Sequence, residues 1–180
     1  MAITADHIRT TLTGYLDQYP DDRPELEVIR SLLGDGHDLT SRKTLPGHVT
    51  AGVILVGPDS RVLHIHHNAT GKWLLPGGHL EPSDNSLLQA AGRELTEETG
   101  IPPYVITSHG EILLHIDVHP IDANPAKDEP AHQHFDFRFL FRTTAGIGEL
   151  QTDEVSDAAW RDIGEITDPQ LRHRIAAALR

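Results

Sequence analysis

The chain has 180 residues, 27 of them acidic against 15 basic, for a formal net charge of −12, and it contains no cysteine. That length supports one domain with a sizeable core, and the acidic balance argues against a nucleic-acid partner held on a basic patch. The missing thiols exclude disulfides, thiolate zinc sites and a cysteine nucleophile, and they fit a reducing, cytoplasmic setting.

The N-terminal stretch "MAITADHIRTTLTGYL" has no basic region followed by an apolar run, and no uncharged apolar run approaches a membrane span. Neither a signal peptide nor a membrane partner is therefore expected. Residues 4–19 suit an amphipathic helix, with Ile8, Leu12, Tyr15 and Leu16 at helical spacing and Thr4 or Asp6 as N-cap. A second helix is expected from Pro24, at a favoured first-turn position, to Leu33, and residues 39–47 read as a linker. "HVTAGVILV", the turn "GPDS" and "RVLHIHH" then form a strand hairpin.

"GKWLLPGGHLEPSD" reads as a short strand and a glycine-rich loop, followed by a helix over 85–99. Leu88, Ala91 and Leu95 are its expected buried stripe, Asp84 its N-cap and Gly100 its stop. "EILLHIDVHP" and "HQHFDFRFLFR" alternate as strands around a polar loop at 121–131. Trp160 ends another strand, and "DPQLRHRIAAALR" closes the chain as a helix capped by Asp168. This order of elements predicts an α+β fold, a mixed sheet with helices against it, preceded by a helical arm at residues 1–45. A lid, a homodimer surface and added packing are the alternatives for that arm.

The helix over 85–99 carries Glu94, Glu97 and Glu98 at spacings that place all three carboxylates on one face. Like charges so placed repel by roughly 0.2–0.5 kcal/mol per exposed pair. A solvated face with Arg93 paired to Glu97 is the bland explanation. The glycine turn just upstream favours another one, because glycine lets a backbone carbonyl approach a ligand closely. Three carboxylates and a carbonyl make an all-oxygen site of the kind that hard cations such as Mg²⁺ or Mn²⁺ prefer, with positions left for water and substrate phosphate.

Residues 77–101, "GGHLEPSDNSLLQAAGRELTEETGI", resemble the signature of the Nudix hydrolases, G-x5-E-x7-R-E-U-x-E-E-x-G-U with U aliphatic. Arg93, Glu94, Leu95, Glu97, Glu98, Gly100 and Ile101 match it throughout. Counting from Gly78, Asp84 replaces the first Glu, and eight residues rather than seven separate it from Arg93. The extra residue is expected in the loop before the helix, where insertion is cheap. The resemblance implies an α/β/α sandwich over a domain at 46–180 and metal-dependent attack of water on a small-molecule diphosphate. It also implies roles: Glu94 as general base or metal ligand, Arg93 orienting it, and Glu97, Glu98 and the Gly78 carbonyl holding the cations. Glu149 and Glu154 are candidates for a further acidic ligand.

His115, Asp117 and His119 share one face of their strand, and His132, His134, Asp136 and Arg138 share one face of the next. A solvated sheet face and a substrate pocket weigh about equally for this set, and a separate His/Asp metal site ranks below both. His64, His66 and His67 read as surface residues, with His66 the one site candidate among them. Trp73 and Trp160 read as core. Two other functions compete with hydrolysis. A nucleotide sensor would not need to keep the water-activating carboxylate, and the related isomerase chemistry on isoprenoid diphosphates relies on a cysteine that this chain lacks.

Overall fold

In the computed structural model, which describes residues 2–107, 112–125, 128–151 and 153–180, helix α1 spans Ala5–Gln18 and starts where the Thr4 side chain accepts the His7 N–H. Its buried residues are Ile8, Leu12, Tyr15 and Leu16, the stripe expected from the spacing. A 3₁₀ turn at Pro20–Asp22 follows, and α2 covers Glu27–Gly34. The second helix thus begins three residues after Pro24, because the chain first closes a turn in which the Leu26 N–H bonds the Asp22 carbonyl at 3.1 Å. Leu39, in the expected linker, is fully buried, and its carbonyl accepts the Val49 N–H at 2.8 Å.

The strands are β1 (Gly47–Val56), β2 (Val62–His67), β3 (Lys72–Leu74), β4 (Gly77–His79), β5 (Ile106–Thr107), β6 (Leu113–Ile121), β7 (His132–Thr143) and β8 (Val155–Arg161). They join in one sheet with the path β3-β2-β1-β7-β5, while β4 pairs with β1, β6 with β7 and β8 with β2. Every residue of β1 is buried, as befits a strand covered on both faces. The "GPDS" turn connects β1 and β2 as an antiparallel pair in which Val56 faces Val62. Helix α3 spans Leu87–Thr99 and α4 spans Pro169–Ala178.

Two compact units share these elements. The first comprises Met1–Ala51, His79–Ala90 and Ile116–Phe137. Within it the Tyr15 hydroxyl donates to the buried Asp22 carboxylate and accepts the Ile116 N–H at 3.4 Å. The His7 ring accepts the Leu87 N–H at 3.3 Å, so α1 is fastened at both ends of its buried face. The second unit comprises Gly52–Gly78, Ala91–His115 and Arg138–Arg180. Its core joins Ile54, Val56, Val62, Leu114, Leu140, Ile166, Leu171 and Ile175.

Several expectations change. Helix α3 starts at Leu87 rather than residue 85, and its buried residues are Leu87, Ala90, Ala91 and Leu95, with Leu88 only half-buried. Asp84 is buried but holds the loop, accepting the Glu81 N–H at 2.8 Å. The Ser86 hydroxyl caps the helix instead, accepting the Gln89 N–H at 3.1 Å. The glycine-rich segment is partly strand β4 rather than all loop. Trp73 and Trp160 are half-buried, because Trp73 lies on the outer strand β3 with Arg161 4.7 Å above its ring and His66 against its edge. His64, read as surface, is buried on β2.

The end of the chain follows expectation. Asp168 caps α4 by accepting the Gln170 and Leu171 N–H groups at 2.8 and 3.1 Å, and its other oxygen lies 3.0 Å from His115 Nε2. Replacing an N-cap Asp by Ala costs about 1 kcal/mol. Urea unfolding should therefore show that loss in Asp168→Ala and little in Asp168→Asn, which keeps the cap. Equal losses in both variants would assign the effect to the His115 contact.

Candidate active site

The carboxylates of α3 are set at different depths by the helix's own burial. With Leu87, Ala90, Ala91 and Leu95 turned inward, Glu97 is half-exposed, while the side chain of Glu94 is only 13% exposed. Glu98 is buried, and its Oε2 accepts the Gly77 N–H at 3.0 Å. Arg93 bridges the outer two, with Nη1 3.0 Å from Glu94 Oε1 and 2.9 Å from Glu97 Oε2. The (i, i+4) pairing and the orientation of Glu94 by Arg93 are thus both present, through one guanidinium nitrogen.

Strand β4 brings the glycine backbone onto this face. A Cβ at Gly78 would lie 2.7–2.8 Å from the Glu94 carboxyl atoms, so no other residue fits there without displacing that group. At the other end of the helix Gly100 adopts φ of +63°, a conformation natural to glycine, and a Cβ there would collide with the backbone of Glu149. The following loop is tied down by the Gly148 N–H on the Thr99 carbonyl at 3.0 Å and the Gln151 N–H on the Glu98 carbonyl at 3.4 Å.

Charge is crowded here. Burial, above all, pushes the Glu94 carboxyl up from the ordinary 4.5 to about 7; Arg93 pulls it down, while the negative charges of Glu97 and Glu154 push it further up. Of the two later acidic candidates, Glu154 is therefore the one whose charge acts on Glu94; both it and Glu149 have exposed side chains. The donor set of Glu94, Glu97, Glu98 and the Gly78 carbonyl fits a hard divalent cation. Carboxylate and carbonyl oxygens are the donors that such an ion prefers.

Comparison with known proteins identifies the family. A profile of the NUDIX domain matches residues 46–180. The chain belongs to the Nudix hydrolase family. A Lactococcus lactis subsp. cremoris protein named "Probable DHNTP pyrophosphohydrolase" is 32% identical over 127 residues, covering 69% of this chain and 72% of that one. Phosphatase NudJ of Escherichia coli (strain K12) is 42% identical over 67 residues, which span 34% of this chain and 42% of NudJ. Among solved structures, a C. elegans Ap4A hydrolase superposes with a TM-score of 0.53 at 18% identity, over 73% of this chain and 98% of that one. That likeness is one of fold, and it bears out the expected α+β architecture of a Nudix hydrolase.

The polar strand faces divide between the units. In the first unit His119, His132 and His134 come together, joined by two residues the sequence reading did not single out, His48 on β1 and His79 at the end of β4. One ring nitrogen each of His48, His79 and His134 lies within 4.8 Å of the others. His132 stacks on His48 with centroids 5.0 Å apart, and His119 meets His134 at 5.7 Å. Asp117 lies 3.2 Å from His119 Nδ1, and Asp136 accepts the Thr50 hydroxyl at 3.3 Å. Both ring nitrogens of His48, and Nε2 of His132 and His134, are buried without a hydrogen-bond partner among the described residues. Each such group costs on the order of 1–3 kcal/mol. Burial, and then the neighbouring histidines His79, His48, His119 and His132, depress His134 to about 3. Burial and His132 likewise lower His48, with the Thr44 backbone acting the other way.

His115 and Arg138 fall in the second unit. His115 is buried between Asp168 and Arg174, whose Nη1 lies 3.2 Å from its Nδ1. Arg138 is half-buried on β7. His66, the other candidate, contacts the Ser156 hydroxyl at 2.7 Å.

The raised Glu94 group has a pH signature in the metal-free protein. Its neutral form is favoured in the fold, so its contribution to stability is fully present below the unfolded value of 4.5 and is lost as pH rises through about 7. Thermal melts of chelator-treated protein should show wild type losing stability across that window, relative to Glu94→Gln. Parallel curves for the two proteins would show that Glu94 is not perturbed.

Proposed function

We propose that this chain catalyses divalent-cation-dependent hydrolysis of a diphosphate linkage in a nucleoside diphosphate joined to another moiety. One observation carries the reading: on one helix the Glu94 carboxyl packs against Gly78, Glu98 accepts the Gly77 N–H, and Arg93 links Glu94 to Glu97, with Glu94 raised to about 7. The relatives' names point to nucleotide-like polyphosphates, DHNTP in one and Ap4A in another, and the substrate class proposed here follows them. Residues 46–180 are proposed as the catalytic domain, with 1–45 as an arm outside it.

Glu97, Glu98 and the Gly78 carbonyl would hold Mg²⁺ or Mn²⁺. When bound, such an ion neutralises phosphoryl oxygens and lowers the pKa of a water ligand. Glu94 takes the proton of the attacking water. Arg93 fixes the Glu94 carboxylate through its 3.0 Å contact and shares the charge of Glu97. The Gly77 N–H holds Glu98 against the glycine strand. The water's oxygen bonds to one phosphorus as the bridging oxygen departs with the other phosphate, giving two phosphate-bearing products.

General-base catalysis contributes about 10²–10⁴-fold, so Glu94→Gln should lower kcat by at least about that lower bound with its fold intact. A panel of nucleoside triphosphates, nucleotide sugars, dinucleoside polyphosphates and dinucleotides, read by phosphorus NMR with and without Mg²⁺, tests this. Cleavage that needs Mg²⁺ and fails in the variant supports the hydrolase. Wild-type rates in Glu94→Gln, or nucleotide binding with no cleavage of any panel member, would overturn it, the latter in favour of a sensor.

A further inference from the structure

We propose that His48, His79 and His134 form a second metal site, selective for a first-row transition-metal dication of the zinc class. The topology builds it on adjacent strands. β1 lies beside β7 in the sheet path and also pairs with β4, and these three strands carry His48, His134 and His79. One ring nitrogen from each comes within 4.8 Å of the other two. All three residues belong to the first compact unit.

Buried histidines ordinarily spend their ring nitrogens on hydrogen bonds. Among the described residues His48, only 1% exposed, has no well-formed hydrogen bond and only the Thr44 backbone acting on its ring as a hydrogen-bonding group, and Nε2 of His134 is buried without a hydrogen-bond partner. His132 adds a fourth lone pair nearby. Its Nδ1 lies 2.8 Å from the Pro130 carbonyl, which can only accept, so Nδ1 carries the proton and Nε2 the lone pair. That Nε2 is also buried without a hydrogen-bond partner among the described residues, the Glu129 carboxylate lying 3.9 Å away.

The donor chemistry selects the ion. Imidazole nitrogens suit Zn²⁺, Co²⁺, Ni²⁺ and Cu²⁺, whereas Mg²⁺ and Mn²⁺ favour oxygen. A tetrahedral zinc site with bonds of about 2.0–2.1 Å draws its nitrogens to roughly 3.3 Å apart. The rings would close from their present spacing of up to 4.8 Å on binding. An anionic substrate group explains the cluster less well, since a neutral imidazole offers it a single N–H.

The test uses the full chain without a histidine tag, stripped by chelator and dialysed, in buffer with excess Mg²⁺ throughout. Zn²⁺ is titrated calorimetrically and Co²⁺ by visible absorption, against wild type, His134→Gln, His48→Gln and Glu98→Gln, each checked for fold by circular dichroism. Wild type and Glu98→Gln should each take up one Zn²⁺ per chain, and Co²⁺ should give the intense visible bands of a tetrahedral nitrogen site. Each histidine variant should weaken Zn²⁺ binding by about 100-fold or more, since even outer-shell partners of a metal are worth 10–100-fold. Should His48→Gln fail to fold, His134→Gln, at a half-buried position, decides alone. No Zn²⁺ uptake in excess Mg²⁺, unchanged uptake in His134→Gln, or loss of uptake in Glu98→Gln would overturn the proposal.

Discussion

Unbalanced negative charge in a partly buried place is the constraint around which the active-site unit is arranged. Glu94 is mostly buried, Glu97 is held against it by Arg93, Glu98 is buried, and Glu154 adds its charge. The Arg93 guanidinium contacts Glu94 and Glu97. Burial above all raises Glu94 to about 7, with the charges of Glu97 and Glu154 adding to the rise and Arg93 opposing it, so the neutral form is favoured there. The same property prepares the cluster to exchange a proton for a divalent cation.

Backbone geometry holds that charge in place. The approach of β4 to the Glu94 carboxyl depends on the missing side chain at Gly78. The segment at residues 148–151 is fastened to the last turn of α3, its Gly148 and Gln151 N–H groups donating to the carbonyls of Thr99 and Glu98. The residues that carry charge and the residues that let the backbone close around it occupy one stretch of sequence, 77–101.

That concentration explains what could be read in advance. Arg93, Glu94, Glu97 and Glu98 are legible because helical spacing converts a local pattern into a shared face. The cap of α4 and the buried phenylalanines of β7 are legible for the same local reason: Asp168 precedes Pro169, and Phe135, Phe137 and Phe139 alternate with polar residues and are all buried. Depth was not legible. Glu98 and Glu97 are neighbours in sequence, yet one is buried and the other half-exposed, because only packing decides which side of the helix edge each occupies. Asp84 misled for a related reason, since an acidic residue before a helix can serve the loop as well as the cap. The histidine cluster was half legible. His132 and His134 stand out by alternation, but His48 and His79 join them through strand pairing between distant segments. The one available signal was a histidine inside the otherwise apolar run of β1. His115, which shares a strand face with Asp117 and His119, instead meets α4 through Asp168 and Arg174, contacts that no pattern within its own strand foretells.

Cation binding at the carboxylate face is best measured by calorimetric titration with Mg²⁺ near pH 7, in two buffers of different ionisation enthalpy. If α3 presents a charge-starved oxygen site, wild type will bind Mg²⁺ and release protons as Glu94 ionises. Glu98→Gln will lose the binding and the release together. Absence of Mg²⁺ binding in wild type, or equal binding in Glu98→Gln, would contradict the assignment of this face as the metal site.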